Sequence, residues 1–197
     1  MESTLSPKVL VLGHSFVRRL AHDLKNDFDP RASGTFNLQG QVHVRLHGTG
    51  GRTVQKLIKY DLGVLTEFAP DIVILEIGTN DLTVSAPEVV GSAIDDFVRF
   101  LRYSFAVKII GVCEVLPRGT KYLHGSDFNK AVPILNNYLR VVLGEQDSVF
   151  CWRHVGFREP SCDPSLPVGV HVNSVGQYWL YRSYRGAIIK ALTMLAK

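Results

Sequence analysis

The sequence predicts a single doubly wound α/β domain, in which a parallel sheet is covered on both faces by helices. Three observations predict it. Short apolar runs, Val9–Leu12 and Ile72–Leu75 above all, have the length and unbroken apolarity of strands buried on both faces. Between such runs lie stretches with apolar residues at three- and four-residue spacing, the period of helices packed on one side. The runs also end in glycine-bearing turns: Gly13-His14-Ser15, Gly48-Thr49-Gly50-Gly51 and Gly78-Thr79-Asn80-Asp81. Strands alternating with helices imply a parallel sheet. Right-handed crossovers then give a three-layer αβα sandwich.

Each element follows in order. Residues 8–13 form the first strand, and residues 15–27 a helix with Phe16, Leu20 and Leu24 at four-residue spacing. Residues 29–41 hold Pro30, Gly34 and Gly40 and read as a loop. Val42-His43-Val44-Arg45-Leu46 alternates like a strand with one more solvated face, and one helix opens near Thr53. Residues 71–77 form the third strand. A helix over 87–104 opens at Pro87, a favoured first helical position. Val107 to Val115 forms the fourth strand, 128–143 a helix, and Val149-Phe150-Cys151-Trp152 the fifth strand. The final helix starts at Asn173 or Ser174, both good caps, and buries Leu180, Tyr184, Ile188, Ala191 and Leu195. Residues 8–197 then make one domain, with 1–7 a flexible lead-in.

Composition narrows the class. No apolar stretch approaches the roughly 18 residues of a membrane span. Met1 to Pro7 has neither the basic start nor the apolar core of a signal peptide. The three cysteines, Cys113, Cys151 and Cys162, are scattered and odd in number, which suits neither a disulfide framework nor a zinc site. Cys113 and Cys151 lie in strand-like runs and read as small buried apolar residues. The expectation is a reducing, intracellular, cytoplasmic setting with no metal and no cofactor. A net charge of +4 gives ordinary solubility or attraction to an anionic partner. Nucleic-acid reading by this domain is not expected, because no RRM, KH, zinc-finger or basic-region signature is present.

The chemistry concentrates at the turns. Glu76-Ile77-Gly78-Thr79-Asn80-Asp81 closes a buried strand at the edge where open α/β sheets bind ligands. Asn80 there supplies a neutral amide donor, or caps its own turn. Ser15 opens a helix, whose N-terminus favours developing negative charge. It reads as a nucleophile in need of a base, or as a plain capping serine. The glycines at 48, 50 and 51 present unobstructed backbone N–H groups. They read as anion donors, as a flexible turn, or as a phosphate loop, although Arg52-Thr53 fits that last pattern poorly. His171 titrates near working pH and suits a general base, or is a packed loop histidine. His14 reads as a surface or turn-packing residue, since a neighbour of Ser15 rarely turns its ring to that hydroxyl.

Serine, glycine, asparagine and histidine in this chain order resemble the SGNH, or GDSL-type, ester hydrolases, over nearly the whole chain. The resemblance implies a flavodoxin-like five-stranded sheet of order 2-1-3-4-5. It implies Ser15 as nucleophile, His171 as base and later acid, and an oxyanion hole from Ser15, Gly51 and Asn80. Gly51 is chosen because Gly51-Arg52-Thr53 before a helix aligns with the family's Gly-Asp-Thr block. Two departures stand out. The family's first block reads Gly-Asp-Ser, and here His14 replaces the aspartate. The family carries Asp three residues before the histidine, and here that position is Val168. Asp163, eight residues before His171, is the nearest carboxylate, with Pro164 and Pro167 to fold it back. Otherwise a backbone carbonyl holds the ring and leaves a Ser-His dyad. Losing an orienting Asp costs a serine protease about four decades of turnover, so a slow enzyme or an inactive descendant is also an outcome.

Two loops should border the site. They offer Tyr122, Leu123, Phe157 and Leu166 beside Arg118, Lys121 and Arg158. That mixture suits an acyl chain with an anionic head group or an anionic membrane surface, or is ordinary loop composition. Gly13-His14-Ser15-Phe16-Val17-Arg18-Arg19 is similar to the esterase domain of the first open-reading-frame protein of vertebrate LINE-type (non-LTR) retrotransposons. A cellular small-ester hydrolase is the other context. The expected function is a serine esterase for short acyl, acetyl or lipid esters. The alternative is a noncatalytic module of the same fold that binds lipid or acetylated ligands. The oligomeric state is open.

Overall fold

The computed structural model describes residues 6–38, 42–118, 125–155, 157 and 171–197. Five strands, β1 (Lys8–Gly13), β2 (His43–Gly48), β3 (Ile72–Glu76), β4 (Ile109–Cys113) and β5 (Val149–Trp152), form one sheet. Their order is β2-β1-β3-β4-β5, and every neighbouring pair is parallel. The expected 2-1-3-4-5 order is therefore the observed one. The helices are α1 (Ser15–Lys25), α2 (Val54–Tyr60), α3 (Leu62–Phe68), α4 (Pro87–Phe105), α5 (Gly125–Gly144) and α6 (Ser174–Leu195).

Strand periodicity sorts the core into two layers. Leu10, Leu12, Val73 and Leu75 pack with α2 to α5 on one face. Val9, Val11, Ile72 and Ile74 pack with α1 and α6 on the other. β1 and β3 are central and buried along almost their whole length, whereas β2 is an edge strand that stays half exposed. Fully burying a side chain such as Leu10 or Ile74 is worth roughly 1.5–3 kcal/mol, and both are completely covered. The two layers thus lock the register that fixes which residues stand at the carboxyl edge. No helix among the described residues is long and apolar enough to cross a membrane.

One element departs from expectation. The single helix foreseen after Thr53 is two, α2 and α3, meeting at Asp61. Gly63, the second residue of α3, is a weak helix former at the junction. The Asp61 carboxylate there accepts from His47 Nε2 (3.0 Å) and Arg52 Nη2 (3.2 Å), which ties the junction to β2 and to the turn before α2. Those two partners outweigh the upward push of burial and hold its carboxyl below the usual range. At the far end of α6, Leu195 is only partly buried against the core rather than inside it.

Candidate active site

Ser15 and His171 meet although 156 residues separate them. His171 Nε2 lies 3.2 Å from Ser15 Oγ. Ser15 is the first residue of α1 and is 8% exposed. It is not the cap: that place belongs to His14, whose Nδ1 accepts from the Phe16 backbone N–H at 3.4 Å. The serine hydroxyl is therefore not spent on its own helix. His171 precedes the Asn173 cap of α6, whose side chain accepts from Gly176 N at 2.9 Å. The Phe16 ring stands edge-on to the His171 ring at 6.4 Å between centroids. Burial, then the nearby groups Arg19, His14, Arg18 and Arg118, hold the His171 imidazole below its usual pKa. A neutral imidazole against a serine hydroxyl is the state a general base needs.

Asn80 and Gly51 face the same edge from two turns that are tied together. Asn80 follows β3 and does not cap its own turn; its Nδ2 donates to Arg52 O at 2.8 Å. The amide has a second N–H. Asp81 completes the tie, its Oδ1 accepting from Val54 N at 2.9 Å at the start of α2. Burial raises the Asp81 carboxyl. Gly51 sits at φ +71° and Gly78 at φ +106°, left-handed backbone that a side chain would strain. Arg118, 4% exposed, donates to Thr79 O at 2.8 Å and lies over the Phe128 ring. Its position braces the Asn80 turn from the α5 side.

The remaining expected residues divide. Asp163, Tyr122, Leu123 and Leu166 lie outside the described residues, as do Val168 and Cys162. Phe157 is 3% exposed, with its ring against His154 and Trp179. That places it in the core and not on a surface cleft, packed between His154 and Trp179 of α6. His14, expected at the surface or packed in its turn, is completely buried.

A second cluster lies below the first and was not foreseen. The Glu76 carboxylate, 1% exposed at the end of β3, accepts from His154 Nε2 and from Tyr184 Oη, each at 2.9 Å. Its other oxygen lies 3.5 Å from His14 Nε2. His154 Nδ1 lies 2.8 Å from Ser183 Oγ, which also accepts from Trp152 Nε1 at 2.9 Å. Burial pushes the Glu76 carboxyl upward, but His154 and His14 outweigh it and hold it well below the usual range. Glu76, Cys113 and His154 bring one metal-type donor atom each to within 4.8 Å of one another. Two of those donors are already joined by a 2.9 Å hydrogen bond, and burial and Glu76 push the Cys113 thiol far up, so it stays protonated. The geometry is that of a hydrogen-bonded network. The only sequence signal for it was an acid and a histidine at strand ends, residues that charge patterning alone leaves unpaired.

The profile of the GDSL-like Lipase/Acylhydrolase family matches residues 11–178. No curated protein matches by sequence. Among solved structures, a candidate acylhydrolase from Bacteroides fragilis superposes with a TM-score of 0.73 at 17% identity, covering 96% of this chain and 93% of that one. The acetyl xylan esterase AlAXEase gives 0.68 at 17% identity, covering 92% and 99%. A GDSL-like lipase from Bacteroides thetaiotaomicron gives 0.67 at 16% identity, covering 93% and 88%. At these identities the likeness is one of fold.

Proposed function

The chain belongs to the GDSL-like lipase/acylhydrolase family, and from that premise we propose that it is a serine ester hydrolase acting on short acyl esters, acetyl esters foremost. The observation that carries this reading is the 3.2 Å contact of Ser15 Oγ with His171 Nε2 at the start of α1. In the proposed reaction Ser15 Oγ attacks the ester carbonyl carbon while His171 Nε2 takes its proton. Negative charge collects on the carbonyl oxygen, which the Ser15 and Gly51 backbone N–H groups and the free Asn80 amide N–H stabilise. The C–O bond then breaks, and His171 returns the proton to the leaving alkoxide. Water, deprotonated by His171, attacks the acyl-enzyme, and Ser15 leaves with the proton restored. Asp163 or a backbone carbonyl is the proposed partner of the second imidazole nitrogen.

The cations Arg18, Arg19 and Arg118 that depress His171 favour an ester with an anionic portion, such as a lipid head group or an anionic membrane surface. The Gly-His-Ser-Phe-Val-Arg-Arg segment supports a host protein of the LINE-type retrotransposon kind and an intracellular setting. A second reading, a noncatalytic module for lipid or acetylated ligands, rests on Val168, apolar where the family carries Asp. An organophosphonate probe separates the two. The esterase reading expects covalent label on Ser15 and hydrolysis of p-nitrophenyl acetate, both absent in a folded Ser15→Ala variant. Undiminished turnover in that variant defeats it.

A further inference from the structure

The buried network beneath Ser15 takes no part in the proposed reaction, yet it touches the segments that carry Ser15, Asn80 and His171. We propose that His14 and Glu76 are a matched positioning pair for Ser15, the imidazole capping α1 with one nitrogen and facing the carboxylate with the other. This rests on Ser15 being the nucleophile.

The tautomer carries the argument. Nδ1 of His14 accepts from Phe16 N, so it bears no proton. The ring proton is then on Nε2, which faces Glu76 Oε1 at 3.5 Å. One side chain therefore does two things that no common capping residue does together. Aspartate caps a helix well, but its carboxylate has no proton to offer Glu76. An aspartate here would also set a second buried anion against Glu76.

Glu76 in turn needs donors. A buried carboxylate without partners is strongly unfavourable. Here His154, Tyr184 and His14 surround it. The backbone makes the coupling short. His14 N donates to Glu76 O at 3.2 Å. A Cβ on Gly13 would stand 2.1 Å from that same oxygen. Any shift of Glu76 is thus passed to residues 13–15. Glu76 also lies four residues before Asn80, and Tyr184 belongs to the helix that follows His171. The carboxylate is where the three segments carrying Ser15, Asn80 and His171 meet. Misplacing a reacting group by about 1 Å costs roughly 100-fold in rate.

A double-variant cycle tests the pair. H14D keeps a capping oxygen but opposes two carboxylates. It is expected to slow both phosphonate labelling of Ser15 and kcat by about 100-fold, with KM moved less than about threefold. Adding E76Q replaces the opposed anion with an amide that donates to Asp and still accepts from His154 and Tyr184. H14D/E76Q is expected to regain activity to within about tenfold of wild type. H14D labelled at the wild-type rate, or a folded double variant no better than H14D, overturns the proposal. If H14D does not fold, recovery of cooperative unfolding in the double variant reports the same coupling, and its absence overturns it. If the wild type itself is not labelled at Ser15, the catalytic reading fails instead. The pair is then judged from imidazole 15N shifts: His14 protonated at Nε2 and bare at Nδ1 is expected, and the reverse tautomer overturns it.

Discussion

Among the described residues two serine–histidine pairs stand out, and they are built in opposite ways. In one, Ser15 opens a helix and lies 3.2 Å from a half-buried His171. In the other, Ser183 sits in the middle of α6 and lies 2.8 Å from His154, which is 3% exposed and donates to the Glu76 carboxylate. The second is a complete serine–histidine–carboxylate line. It nevertheless lacks what acyl transfer requires. Its hydroxyl already accepts from Trp152 Nε1, its helix N-terminus is nine residues away, and no asparagine or left-handed glycine turn adjoins it among the described residues. The first has those features and only lacks a carboxylate close in sequence. The contrast teaches that hydrogen-bond order alone does not make a nucleophile. Placement at a helix start, with donors for the developing charge, is the difference.

That comparison can be broken by experiment. The largest effect is expected at Ser15. Ser15→Ala should lower turnover by about four decades or more, whereas Ser183→Ala should leave kcat within about threefold, measured on p-nitrophenyl acetate. Equal losses would erase the distinction. Next, Asn80→Ala should lower kcat by about 100- to 1,000-fold with a smaller change in KM. A change confined to KM would make the amide a ground-state contact. Ser183→Ala should then show its effect in stability. It strands the His154 and Trp152 partners at a cost of about 1–3 kcal/mol, readable by urea unfolding. An unchanged midpoint would mean the deep pair holds nothing together.

The smallest effect is in pH. His171 must be neutral to act, and its pKa is held below the ordinary 6.5 by burial and then Arg19. Activity should therefore persist below the ordinary imidazole range and fall only as pH drops through the depressed pKa. Arg19→Ala removes a cation, so the acid limb of kcat/KM should move upward. A downward shift, or none, would remove Arg19 from the causes of the depression.

The proposed reacting residues were more legible in the sequence than their support. Ser15, Asn80 and His171 each follow a strand or precede a helix, so local pattern alone puts them at the sheet edge. The strand order needed the family resemblance as well as the alternation of elements. Glu76 and His154 were opaque because their partners are 29 to 108 residues away and on other elements. Local periodicity carries no trace of such pairing. The break at Asp61 was harder to see, since Gly63 is only a weak helix breaker and the contacts of Asp61 with His47 and Arg52 come from other segments. His14 was read as a residue of the surface or of its own turn because nothing nearby in sequence announces the buried carboxylate that receives it.

The crowding of Gly13 against the Glu76 carbonyl gives three adjacent codons three different fates in a saturation library. At position 13 every side chain collides with backbone 2.1 Å away, so all variants should vanish from a selection for abundance. At position 15 many small replacements should survive that selection and vanish only when growth depends on the chemistry. At position 14 survival should depend on the genotype at position 76. A pairwise scan of Gly13-His14-Ser15 against Glu76 would therefore display scaffold, epistasis and function as separate columns.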